Sequence, residues 1–394
     1  MSDDAKCRLE FLPFEILTRI FSFFPTTEII SKTGHLSSTL YNICNSRNLW
    51  RSVEILNAKV PSHIFDKIVV SLPTKVVFKN ATFTEIPPDL WKHTINSICP
   101  KLERFTLSSC QNVNPNSIFR FLLSSNAPYL RSLKICSSLR AIGMMDSDHE
   151  IPTSHNNRIC SLNVLHLTKI ELSQEDFLHI TTLIKNNSAL TDISFEGTYP
   201  IKLAARELMD SIISVDKLRR INFNNCTLIS DDDVRALLEK HCAFIEHLQL
   251  RNIQLSEKVL DHVTSLHRLT RLDMSLVQSV SDDFLRHLSA TAVGLNKLKL
   301  NGCSVTSEGI RYISKLSLSE LYVAETRLDK FALHHLVAQR QLEVLDLSHN
   351  FIENMVDNLA IFLSQMDLLR CIILYGYEPL VIDVAISTKI EVIH

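Results

Sequence analysis

The cysteines, histidines and clustered aspartates of this chain are the residues whose types could do chemistry, and their spacing assembles none. Ten cysteines run from Cys7 to Cys371 with no C-x-x-C pair and no close Cys/His ligand spacing, so neither a zinc site nor a disulfide framework is predicted. They read as reduced, small buried hydrophobes. His334 and His335 are adjacent and leave a helix in different directions, which excludes a metal pair on one face. Asp231, Asp232 and Asp233 look like an acidic cluster, yet Val234, Leu237 and Leu238 follow at helical spacing. A helix beginning here favours carboxylates in its first turn through capping and the macrodipole. The chain holds seven glycines in 394 residues and no G-x-G-x-x-G, G-x-x-x-x-G-K-[ST], G-x-S-x-G or H-E-x-x-H. No catalytic residue, metal ligand or cofactor is expected, and the chain is read as a non-enzyme.

Composition narrows the classes further. The 45% apolar and 21% charged content predicts an ordered protein. A formal net charge of -2 gives no global pull toward nucleic acid or anionic membrane. The opening Met1-Ser2-Asp3-Asp4 is polar and acidic, unlike a secretory signal. No window approaches the roughly 18 apolar residues of a membrane span. A cytoplasmic or nuclear address is expected, with no nucleic-acid or membrane partner.

What must position any functional surface is a repeat. The pattern L-x-x-L-x-L-x-x-(C/N/T) recurs about every 27 residues. Its eleven copies begin at Leu102, Leu130, Leu162, Leu190, Leu218, Ile245, Leu269, Leu295, Leu318, Leu342 and Leu369. Each x-L-x-L-x core predicts a short strand whose alternation sends the leucines inward and leaves the intervening residues open. Three residues further on, Cys110, Thr198, Cys226, Cys303, Thr326 or Asn350 turns the chain inward and can hydrogen-bond the backbone of that turn. Helical stretches such as Ser230 to His241 complete the units, which cover their apolar edges only by stacking. Val76 and Phe78 read as an earlier, degenerate copy. Val53 to Ile55 reads as a capping strand with Ser62 to Leu72 as its helix, and Val381 to Ile393 as a last irregular unit. The polar, aperiodic run around Gly143 to Arg158 predicts a mobile loop near residues 140–160.

Ahead of the array, Leu9 to Arg51 is rich in apolar residues but too short to bury them by itself. Pro13 and Glu15 favour a helix start. Leu17, Phe21 and Phe24 then fall at i, i+4 and i+7, and Pro25 stops the helix. Leu36, Leu40 and Ile43 repeat that spacing, and Leu49-Trp50 adds a large anchor. Two or three helices are predicted.

The array resembles the leucine-rich-repeat family, in its cysteine-containing subclass, from Lys101 to Tyr377. The N-terminal stretch resembles the F-box: Leu12-Pro13-Phe14-Glu15-Ile16-Leu17 leads to Ile20-Phe21, a Ser-rich helix follows, and Leu49-Trp50-Arg51 closes it. It departs from the F-box pattern at Leu36, Leu40 and Arg47-Asn48, which stand where a valine, an aromatic residue and Pro-x are usual. The implied fold is α/β, a small all-helical F-box followed by a leucine-rich-repeat solenoid (horseshoe) of about 11–13 repeats. The segments are residues 1–8 (tail), 9–51 (F-box), 52–101 (linker, cap and degenerate first repeat) and 102–394 (solenoid with C-terminal cap).

The resemblance implies the substrate-recognition subunit of a Skp-cullin-F-box ubiquitin ligase. In that role Leu12, Pro13, Ile16, Ile20, Phe21, Leu36, Leu49 and Trp50 dock a Skp-type adaptor, and through it cullin. The alternative is a leucine-rich scaffold that uses the adaptor for a non-degradative purpose. On the open face, the outward template positions include Arg220, His247, Arg251, Arg271, Lys297 and Lys299. The strands on either side carry Asp192 and Glu196, then Glu320 and Asp346. This basic centre is expected to receive an acidic or phosphorylated segment of a protein substrate.

Overall fold

The computed structural model describes residues 12–24, 26–29, 37–84, 86–137, 159–198, 202–379, 381, 383 and 390–394. The predicted tail, Leu36 and nearly all of the predicted 140–160 loop lie outside the described residues. The chain forms two compact units, Met1–Leu190 and Thr191–His394, and each is a leucine-rich-repeat solenoid of the α/β class.

In the first unit the strands are β1 (Ser52–Leu56), β2 (Lys59–Val60), β3 (Lys75–Lys79), β4 (Thr82–Phe83), β5 (Arg104–Ser108), β6 (Ser132–Cys136) and β7 (Val164–Thr168). β1, β3, β5, β6 and β7 pair in that order, all parallel and in register, and β2 pairs with β4. Parallel neighbours need a crossover, and the helices His63–Ser71, Pro88–Ile98 and Pro115–Ser124 provide it. The predicted capping strand and degenerate copy are therefore full strands. Phe65, Phe78, Phe83 and Trp91 meet edge to face behind them, with centroids 4.6–6.1 Å apart.

The second unit continues the pattern in β8 (Asp192–Ser194), β9 (Arg220–Asn222), β10 (His247–Gln249), β11 (Arg271–Asp273), β12 (Lys297–Lys299), β13 (Glu320–Tyr322), β14 (Val344–Asp346), β15 (Cys371–Ile373) and β16 (Glu391–Ile393). Each is parallel and in register with the next. The eleven predicted copies are thus the strands β5 to β15. Their template leucines form the core: Leu248, Leu298, Leu321 and Leu345 have no exposed surface. The helix Asp231–His241 buries Val234, Leu237 and Leu238, as its spacing predicts.

The turns after the strands share one device. A residue with left-handed backbone precedes the inward-turning one: Ser109, Gly197, Asn225, Gly302, Glu325 and His349 stand before Cys110, Thr198, Cys226, Cys303, Thr326 and Asn350. The inward residues bond more widely than predicted. The Cys226 thiol donates to the carbonyl of Phe195 in the preceding repeat at 3.0 Å, and Cys303 to that of Met274 at 3.2 Å. Asn350 Nδ2 donates to Val323 of the preceding repeat and to Leu347 of its own. Burial pushes the Cys226 and Cys303 thiols up to about 12, so they stay protonated and can donate. Every described cysteine is a free thiol.

A second device ties repeats together at the helix ends. Buried Asn187 accepts from Leu162 N and donates to the Ile159 and Leu183 carbonyls. Buried Gln339 accepts from Leu318 N and donates to the Ile313 and Leu316 carbonyls. These amides satisfy backbone groups that the end of one helix and the approach to the next strand leave open.

Candidate functional site

No cluster of described residues suits a metal, and the acidic run is structural. Ser230 caps the helix Asp231–His241 in a reciprocal box with Asp233, Asp232 pairs with Arg235, and Asp231 accepts from Ser256 N. Two surfaces remain: the N-terminal helices and the open faces of the strands.

The first helix runs from Phe14 to Phe21, preceded by Pro13 and carrying Glu15 in its first turn. Leu17 and Phe21 point inward, against the helix Ser38–Cys44, which buries Leu40 and Ile43. The helix stops before Phe24, which lies outside it and is exposed. The predicted inner stripe therefore ends at Phe21. Thr26 joins these helices to the edge of the sheet, donating to the Ser52 carbonyl and accepting from Glu54 N.

The predicted adaptor residues separate by environment. Leu12, Pro13 and Ile16 are exposed, Ile16 at 46%, and Ile20 is half-buried. Phe21, Leu49 and Trp50 are buried, at 3%, 7% and 2% exposure. The indole Nε1–H of Trp50 donates to the Cys44 carbonyl at 2.7 Å, and Lys67 Nζ stands 5.4 Å from its ring centroid. In this chain those three side chains are buried, with the first helix packed on Ser38–Cys44 and Trp50 held by Cys44 and Lys67. Leu36 lies outside the described residues. Sequence reasoning passed over Phe14, Phe23 and Tyr41 as contact residues and placed Phe24 on the inner stripe, yet all four are exposed; apolar residues on more than one side of the first helix were the available signal.

On the second unit, register sets the charged row. Asp192, Arg220, His247, Arg271, Lys297 and Glu320 follow one another across six strands. The predicted basic centre is real in position, but its ends are compensated. Arg220 lies 3.6 Å from the Asp192 carboxylate, and Lys297 Nζ is hydrogen-bonded to Glu320. Tyr322 also donates to Glu320 at 2.8 Å, while Lys297 and Lys299 sit over its ring at 5.2 and 4.6 Å. Burial raises the Glu320 carboxyl, but the bonds from Lys297 and Tyr322 outweigh it and the net shift is down. His247 is shifted down, first by burial and then by Arg220 and Arg271 beside it. Asp273 is buried and caps Ser275 N. Arg251 and Arg271 remain exposed.

No protein-family profile matches the sequence, and neither does any curated protein. A solved structure does: a chain of the yeast Rad7 and Elc1 complex is similar at 14% identity, covering 86% of this chain and 90% of that one, with a TM-score of 0.57. The shared feature is the leucine-rich-repeat fold. An internalin from Listeria monocytogenes matches over 93% of each chain at 11% identity with a TM-score of 0.44, too loose to bear on function. No described helix is long and apolar enough to cross a membrane.

Proposed function

We propose that this protein is the substrate-recognition subunit of a Skp-cullin-F-box ubiquitin ligase. The observation that carries the reading is the exposed apolar residues at the start of the first helix, Leu12 just ahead of it and Phe14 and Ile16 within it, directly ahead of a leucine-rich array. Monomers rarely leave such residues clustered without a partner to cover them. Their order in the sequence is that of the F-box, so the partner is a Skp-type adaptor that leads to cullin. Support also comes from the yeast Rad7 structure, which shares the fold and was solved as a complex with a second protein, Elc1.

On this reading the chain does no chemistry itself. It is a soluble, cytoplasmic or nuclear bridge. One end holds the adaptor, and the open strand faces hold a protein substrate. Tethering raises the effective concentration of substrate lysines beside the ubiquitin-conjugating enzyme. The test is affinity purification of the full chain and of a chain lacking residues 1–51. Adaptor and cullin should be captured by the full chain and lost on deletion, while substrate proteins are retained. Capture of an adaptor with no ubiquitination of any retained protein would favour the scaffold alternative, and absence of adaptor would remove the reading.

A further inference from the structure

The open face of the first unit differs from that of the second in one respect that only register reveals. Its five strands carry four lysines and arginines, Lys75, Lys79, Arg104 and Lys134, and a single acidic residue, Glu54. All five sit at outward positions, alternating with buried Val53, Val76, Phe105 and Leu133. Lys75 takes Glu54 as its ion-pair partner. Among the described residues, Arg104, Lys79 and Lys134 form no ion pair. Arg104 stands beside Lys75 in the ladder, Thr106 beside Lys134, and Lys79 beside Ser108. With strands about 4.8 Å apart and a rise of about 3.3 Å per residue, these cations lie within roughly 14 Å of one another, and Arg104 and Lys134 within roughly 8 Å. The hydroxyls of Thr106, Ser108 and Ser132 occupy the half-buried positions between them.

We propose that this face receives a short acidic segment of a partner protein, with carboxylates seated on Arg104 and Lys134. Charge complementarity favours that occupant. Arg104 offers a bidentate fork for a carboxylate and Lys134 a point charge beside it, whereas the second unit's row already has Asp192 and Glu320 on its outer cations. The patch is too small for a nucleic-acid track, which needs a long run of phosphate contacts, and the chain carries no net positive charge. Half-buried Val164 provides apolar contact within the same face, which suits a polypeptide. The proposal rests on the reading that the open faces hold a protein, and it moves the anion site from the predicted Arg220–Lys299 region to the first unit.

The experiment uses the full chain and fluorescence anisotropy with a labelled Gly-Glu-Asp-Glu-Asp-Glu-Gly peptide, its Gln/Asn counterpart and a phosphoserine counterpart. The acidic peptide should bind at least about tenfold more tightly than the amide one. Arg104→Glu and Lys134→Glu should each cost about tenfold, as expected for charge-assisted contacts, and Arg271→Glu should leave binding within about twofold. All three substitutions are at solvent-reached positions, and circular dichroism of each checks folding. Unchanged binding by Arg104→Glu and Lys134→Glu, an equal loss in Arg271→Glu, or binding of the phosphoserine peptide alone would overturn the proposal. Adaptor capture is scored on the same preparations. Its failure alongside the expected peptide pattern supports this face and removes the ligase reading.

Discussion

The guanidinium of Arg120 grips the carboxylate of Asp176 with two hydrogen bonds, from Nε at 3.1 Å and Nη2 at 3.0 Å, and Asp176 has no exposed surface. The pair joins the helix Pro115–Ser124 to the helix Gln174–Lys185, on either side of the longest interruption in the repeat. Asp176 also accepts from Ser173 N and Oγ as part of the capping box. Burial pushes its carboxyl up, but Arg120 and Ser173 outweigh that and hold it below the usual value.

Replacing Arg120 should therefore leave a buried charge without its partner. Arg120→Met is expected to lower unfolding free energy at pH 7 by about 3–5 kcal/mol, read by urea denaturation. The pH dependence follows from the direction of the shift. A depressed folded pKa contributes stability above the unfolded value of about 3.9, and that contribution disappears as pH falls through the folded value. The variant should lose this acid-limb dependence.

His241 predicts the opposite partner for acid. It ends the helix Asp231–His241 fully buried, and its ring nitrogens make no hydrogen bond of ordinary geometry, with only the Ile212 and Ile213 backbone nearby. Burial, then the charge of Lys240, takes its pKa down to about 4. The unfolded chain binds a proton near pH 6.5 that the folded chain refuses until pH falls further. Stability should thus decline between about pH 6.5 and 4, by up to roughly 3 kcal/mol. His241→Leu should flatten that slope in unfolding curves measured at pH 7, 6 and 5.

The first helix separates docking from packing. Phe14→Glu and Ile16→Glu change exposed positions, so each should abolish adaptor capture while shifting stability by less than about 0.5 kcal/mol. Trp50→Ala empties a buried site and breaks the bond to Cys44, and should cost about 3–5 kcal/mol. Capture unaffected by both exposed variants would assign the helix to another role.

Gln339 tests the ties between repeats. Gln339→Leu leaves Leu318 N and the Ile313 and Leu316 carbonyls without their side-chain partner. The loss should be about 3 kcal/mol, with hydrogen exchange at Leu318 accelerated ahead of more distant strands.

The repeat was legible because its cause is local. Leucines two apart fix a strand with one buried side, and a spacing of about 27 residues leaves room for a single helix or loop back. The aspartates at 231–233 could be assigned to a helix start for the same reason: the Ser230 cap and the residues it serves lie within one turn. The charged faces were legible only in outline. Sequence placed Arg220, His247, Arg271 and Lys297 on outward positions, but pairing with Asp192 and Glu320 depends on side chains reaching across strands more than twenty residues away.

The N-terminal residues show the same division. Their order gave the apolar stripe and its F-box resemblance, while burial of Phe21, Leu49 and Trp50 required tertiary neighbours, among them the helix Ser38–Cys44 against the first helix and Cys44 and Lys67 around Trp50. Sequence by itself determined the periodicity and the strand and helix alternation. The tertiary structure decided which cations are neutralised, which amides tie the repeats, and which apolar residues stay open. Each of those depends on neighbours brought together by stacking, and stacking couples residues through space rather than along the chain.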